Sequence, residues 1–140
     1  MKDENLPIGY WLKTVDNLLT KGIDEIQSGF EFSREDWQLL NLMAKHSEIA
    51  IIDARKTMRP FLKADNLDTC VNKLYGRQLI IVSKNKIKIT QTGISQHKKC
   101  LEKQMVFRKK VMQDISPEDY KTTVETLLQM SKNITLKKKK

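Results

Sequence analysis

Asp65-Asn66-Leu67-Asp68-Thr69-Cys70-Val71-Asn72-Lys73-Leu74-Tyr75-Gly76-Arg77, followed one residue later by Leu79-Ile80-Ile81-Val82, is the stretch whose reading decides the fold. Over 65–77, Leu67, Cys70, Val71 and Leu74 fall at i, i+3, i+4 and i+7, one apolar stripe of a helix. At Leu79 the period changes. Leu79–Val82 is a short apolar strand, Ser83-Lys84-Asn85 a tight connection, and Ile87 and Ile89 alternate with Lys86, Lys88 and Thr90 in a half-buried strand. The helix face opposite the stripe holds Asp65, Thr69, Asn72 and Gly76, flanked by Asn66 and Lys73. Asn can bond bidentately to adenine, Thr can touch a thymine methyl, and Lys can meet guanine or phosphate. The same wheel also describes the solvated face of a core helix. What favours DNA reading is the context, a short helix before and a hairpin after. Asp65 reads as the helix cap, and Asp68 as a solvent-facing acid or the partner of a base.

Upstream, Phe32-Ser33-Arg34-Glu35-Asp36-Trp37 places a hydroxyl cap at Ser33 with an acid three residues on, and lets Phe32 staple onto Trp37. A helix over 34–46 follows, with Trp37, Leu40, Met43 and Ala44 inward. A third helix is expected over 48–59, ended by Pro60. Before these, Ile8, Trp11, Leu12, Val15, Leu18, Leu19, Ile23 and Ile26 recur at helical spacing over 6–27, with Pro7 in the first turn and Gly29 as the break. Downstream, a fifth helix spans 92–114. Ile115-Ser116-Pro117-Glu118-Asp119-Tyr120 repeats the capping pattern and opens a sixth over 117–132. The expected fold is mostly α with a small β-hairpin. A winged helix-turn-helix lobe over 33–91 is carried on helical segments 6–30 and 92–132, with a basic tail over 133–140. The terminal helices carry more apolar surface than the small middle can cover, so they are expected to pack on each other and on a second copy.

The charge points the same way. The 140 residues carry net charge +9, with 39% hydrophobic and 31% charged residues and a pI near 9.6. Such a balance favours nucleic acid or an anionic membrane surface as partner. Acids outnumber bases over 1–36, whereas over 55–77 Arg55, Lys56, Arg59, Lys63, Lys73 and Arg77 face only Asp65 and Asp68. No apolar run approaches a membrane span. The acidic N-terminus has no signal-peptide pattern. Two cysteines, Cys70 and Cys100, make no disulfide framework and fit a reducing cytoplasm.

The segment Asn66–Leu74 running into Leu79-Ile80 resembles the recognition helix and first wing strand of the multiple-antibiotic-resistance regulator (MarR) family of bacterial transcription factors. Ile89-Thr90-Gln91-Thr92-Gly93 resembles that family's passage from the second wing strand into a long helix, and Ser116-Pro117-Glu118-Asp119 its last helix start. The resemblance covers nearly the whole chain by element order. It implies a homodimer built from both chain ends, binding double-stranded DNA at a pseudo-palindromic operator. It also implies control by a small-molecule effector, with Tyr10, Trp11, Phe30, Trp37 and His46 as candidate lining residues. For each of these, a core or staple role is the alternative. The wing departs from the family pattern: no Asp or Arg lies between Leu79 and Gly93. Phosphate contact is therefore expected from Lys84 and Lys86, beside Asn85.

The candidate DNA contacts are thus Arg55, Lys56, Arg59, Lys63, Asn66, Thr69, Asn72, Lys73, Arg77, Lys84, Asn85 and Lys86. No cofactor is expected. His97 and Cys100, three apart, are two ligands without company and make a poor metal site. No phosphate loop, nucleophile elbow or paired catalytic carboxylates occur, so no enzyme is expected. The competing reading is a winged-helix adaptor that binds protein instead of DNA.

Overall fold

In a computed structural model of the chain, residues 5–62 and 66–136 are described. The elements run α1 (Ile8–Gly29), α2 (Arg34–His46), β1 (Glu48–Ala50), α3 (Ile51–Met58), a 3-10 turn (Arg59–Phe61), α4 (Leu67–Gly76), β2 (Ile80–Ser83), β3 (Lys86–Ile89), α5 (Gln91–Val111) and α6 (Pro117–Leu136). This is a mostly helical winged-helix fold with flanking helices. The chain forms two compact units, Met1–Phe107 and Arg108–Lys140.

The core of the first unit takes in the stripes read for 34–46 and 65–77 and the strand residues after them, together with Leu39, which that reading left out, while the stripe of α1 is largely exposed. Leu39, Leu40, Met43, Leu67, Leu74, Leu79, Ile80 and Ile87 are all buried, and Ala54 and Met58 of α3 join them. The α2 start forms the expected capping box: the Asp36 N–H donates to Ser33 Oγ (3.1 Å) and the Ser33 N–H to Asp36 Oδ2 (3.0 Å). Phe32 and Trp37 meet at 6.3 Å between ring centroids, the staple contact. Thr90 performs the same service for α5, its Oγ1 accepting from the Gly93 N–H at 3.0 Å. Ser116 Oγ accepts from the Asp119 N–H at 3.0 Å and opens α6.

The structure corrects several boundaries. Residues 48–50 are not helical. They form β1, an antiparallel partner of β3 (Glu48↔Lys88, Ile49↔Ile87, Ala50↔Lys86). The hairpin is thus a three-stranded sheet in the order β1-β3-β2. Pairing β1 with the chain's most regularly alternating strand satisfies backbone groups that a short helix start would leave open. The first helix runs to Gly29, two residues past 27, and ends there as the sequence break suggested. The left-handed turn that follows falls on Glu31 (φ 62°) rather than on the glycine, with the Phe32 N–H closing back onto Gln27 O at 2.9 Å. Likewise Gln78 (φ 64°), not Gly76, is left-handed after α4. The fifth helix ends at Val111 rather than 114, and the sixth extends to Leu136. The Asp65 cap and the Lys137–Lys140 run lie outside the described residues.

Candidate nucleic-acid interface

Helix α4 buries Leu67, Cys70, Val71 and Leu74 and leaves Asp68, Thr69, Asn72, Tyr75 and Gly76 exposed. The outward face therefore carries the two base-reading candidates, Thr69 and Asn72, one turn apart. Asn66 stands just before the helix, also exposed, and its side chain makes no capping bond.

A cleft of about 710 Å³ opens between the start of α3 and the tip of the β2–β3 hairpin. Ala50, Ile51 and Ile52 form its apolar part, and Arg55, Lys56, Arg59, Lys84, Asn85 and Lys86 its polar part. Six of the residues singled out in the sequence thus converge from two elements on one surface. The hairpin tip is held there by the backbone, the Ile51 N–H donating to Asn85 O at 2.8 Å. Arg55 links this cleft to α4, because its Nη2 donates to Asp68 Oδ1 at 3.0 Å. Five cations from Arg55 to Lys86 line the cleft without an acid among the lining residues. That arrangement suits a polyanion backbone, to which Lys and Arg are the usual contacts.

The remaining basic candidates are placed differently. Lys73 Nζ lies 2.7 Å from Asp36 Oδ2 on α2. Arg77 donates from Nη1 to Glu31 O and from Nη2 to Phe30 O, both at 2.9 Å. Its guanidinium also sits 4.8 Å over the Phe32 ring. Both side chains are tied to the protein rather than directed at the cleft. Lys63 lies outside the described residues.

No protein-family model and no curated protein matches the sequence. Among solved structures, the chain is similar to MepR, a transcription regulator of the Staphylococcus aureus multidrug efflux pump MepA. Identity is 13%, the TM-score is 0.71, and the match covers 92% of this chain and 99% of that one. It is similar to YusO from Bacillus subtilis at 12% identity and TM-score 0.71, over 89% and 92% of the two chains. It is also similar to the Mycobacterium tuberculosis MarR family protein Rv2887 in complex with DNA, at 13% identity and TM-score 0.69, over 90% and 98%. The chain has the MarR fold.

Within this MarR fold the effector candidates are scattered. Trp37 is buried and stacks on His97 at 4.8 Å with rings nearly parallel. Phe30 is half-buried and stacks on Phe32 at 6.2 Å. Tyr10 meets Trp11 edge-on at 5.0 Å, and His46 is exposed at the end of α2. None of the five lines the basic cleft or the two hollows along α1 and at its junction with α2. His97 and Cys100 have other partners: Asn41 Oδ1 lies 2.8 Å from His97 Nε2, and Gln104 Nε2 donates to Cys100 Sγ at 3.3 Å. Burial, with the Asp36 carboxylate beside it, pushes the Cys70 thiol up to about 12, so it is an unreactive packing group.

Two features escaped the sequence reading. Ile52 is 64% exposed at the cleft; in sequence it belongs to an apolar run, and only the strand-to-helix switch at Ala50–Ile51 turns it outward. Asp36, read as a helix-start acid, is fully buried beneath α4.

Proposed function

We propose that this chain is a sequence-specific double-stranded DNA-binding transcriptional regulator that acts as a homodimer in the cytoplasm. The observation that carries the reading is the cation-lined cleft of α3 and the wing, joined through Arg55–Asp68 to a recognition helix with Thr69 and Asn72 facing out. Phosphate contacts position such a protein, and the helix face reads base edges in the major groove. The MarR fold supports this, since Rv2887 has been solved with DNA. The division into a DNA-binding lobe over 33–91 and dimerisation segments over 6–30 and 92–132 follows the same reading. Effector control is part of it, with the site left open.

Dimerisation rests on unpartnered apolar faces. Ile8, Leu12, Val15, Leu18 and Leu19 of α1 are exposed, as are Tyr120, Val124 and Leu128 of α6, each four residues from the next. Patches of this kind mark protein contacts. A second copy covering them forms an interface at or above roughly 2,000 Å² in total. Paired recognition helices then meet two half-sites of a pseudo-palindrome.

The test is selection of binding sites from random duplex DNA, followed by Asn72→Ala on the selected site. Loss of preference at one position per half-site, at about 1–3 kcal/mol each, is the expected result. Failure to enrich any sequence, with binding insensitive to salt, refutes the reading and favours a protein adaptor.

A further inference from the structure

Packing an apolar stripe buries a helix but does not fix its roll to within the distance a base contact requires, because the hydrophobic effect is non-directional. Directional bonds must supply the rest. Helix α4 has such bonds on three sides. Near its start, Asp68 is held by Arg55 of α3, though Asp68 is largely exposed and that pair is loosely constrained. Just beyond its end, Arg77 is held by the two carbonyls of the α1–α2 connection. The third tie is of another kind. Lys73 reaches Asp36, whose side chain has no exposed surface at all. The carboxylate cannot swing away, because Oδ2 also accepts from the Ser33 N–H in the capping box at the α2 start. Its Oδ1 has no hydrogen-bond partner among the described residues. Lys73 is the cation paired with this buried carboxylate, beside the neutral donors of Ser33, and withdrawing it would leave a desolvated charge without its counterion.

Lys73 is therefore poorly placed to serve DNA, although it flanks the outward face. A phosphate in water-filled surroundings offers it less than a dry carboxylate already at 2.7 Å. We propose that Asp36 and Lys73 are positioning residues for base reading: the pair sets the roll of α4 so that Thr69 and Asn72 face the groove, and Lys73 makes no phosphate contact. This rests on the DNA-reading function proposed above.

The experiment measures affinity for the selected duplex and a random duplex across a salt series, for wild type, Lys73→Gln and Asp36→Asn, at temperatures where melts show each folded. A phosphate-contacting lysine contributes about 0.9 to the slope of log affinity against log salt. Lys73→Gln, which keeps the stem and an N–H donor for Asp36, should leave the slope as in wild type. Asp36→Asn keeps the shape and the Ser33 bond but releases the lysine. It should steepen the slope by up to about 0.9 on random DNA and reduce the preference for the selected duplex severalfold. A slope that drops by about 0.9 in Lys73→Gln, with preference intact, makes Lys73 an ordinary phosphate contact and overturns the inference. So does an Asp36→Asn protein with wild-type preference. If Asp36→Asn does not fold, Lys73→Met, which keeps the stem but offers Asp36 no donor, replaces it: a severalfold loss of preference is expected, and wild-type preference overturns the inference. Wild type that binds both duplexes alike instead overturns the DNA-reading function itself.

Discussion

Lys84 sits in a conformation that its side chain opposes, and replacing it with Gly should raise stability while lowering DNA affinity. Strands β2 and β3 pair up to Ser83↔Lys86, which leaves Lys84 and Asn85 as a two-residue loop. Both have positive φ, 51° and 64°, the type I′ form that suits the twist of a hairpin. Asn tolerates the left-handed region; Lys at the first position costs about 1–2 kcal/mol. Gly removes that strain but gives back about 0.5–1 kcal/mol of chain entropy. Lys84→Gly should therefore be stabilising by about 0–1.5 kcal/mol, centred near 0.75, a rise in melting temperature of about 2–4 °C at that centre for a chain of this size. The same change removes one of five cations from the cleft. If Lys84 neutralises one phosphate, the log–log salt slope should fall by about 0.9, or about eightfold in affinity between 1 M and 0.1 M salt. Selected and random duplexes should lose equally, since no base contact is touched. A thermal melt and fluorescence anisotropy on two labelled duplexes read both effects in one preparation. Opposite signs cannot arise from partial unfolding. A lower melting temperature refutes the turn geometry, and an unchanged slope refutes the phosphate contact.

Other outcomes follow from particular contacts. At Gly93 a Cβ would meet the Leu79 carbonyl oxygen and Ile89 Cγ1, so Gly93→Ala should destabilise by about 1–3 kcal/mol. Gly29→Ala, with open space around it at the last residue of α1, should instead be neutral or stabilising by less than about 1 kcal/mol. Leu18→Lys, at a position 61% exposed on α1, should shift sedimentation from dimer to monomer while the melt of the lobe persists; unchanged mass would argue that α1 is outside the dimer interface. His97 is held below its usual 6.5 by burial and then by the nearby Lys45. The unfolded chain then binds the proton more readily, so stability should decline as pH falls through 6.5 and level off below the folded pKa. His97→Gln should flatten that part of a melting-temperature profile between about pH 7.5 and 5.

Local physics made much of this protein legible from sequence. The Ser33 and Ser116 caps, the stripe Leu67–Leu74 and the alternation at Ile87 and Ile89 are signals that a few neighbouring residues set among themselves. They specified the helix starts, α4 and the β2–β3 hairpin. The excess of cations over 55–77 likewise pointed to an anionic partner as the expectation to test. Tertiary structure decided what depends on distant segments. Strand β1 exists because Glu48–Ala50 find β3 far along the chain, and three residues have no period of their own to reveal it. The left-handed turns fell to Glu31 and Gln78 rather than to the nearby glycines, where the Phe32 and Leu79 N–H groups close back onto Gln27 O and Leu74 O. Charge alone could not separate Lys84 and Lys86, which line the cleft, from Lys73 and Arg77, which are bound to Asp36 and to the Phe30 and Glu31 carbonyls. A basic side chain near a recognition helix has the same composition whether it faces phosphate or holds the helix in place. What distinguishes the two is the acceptor that folding brings within reach.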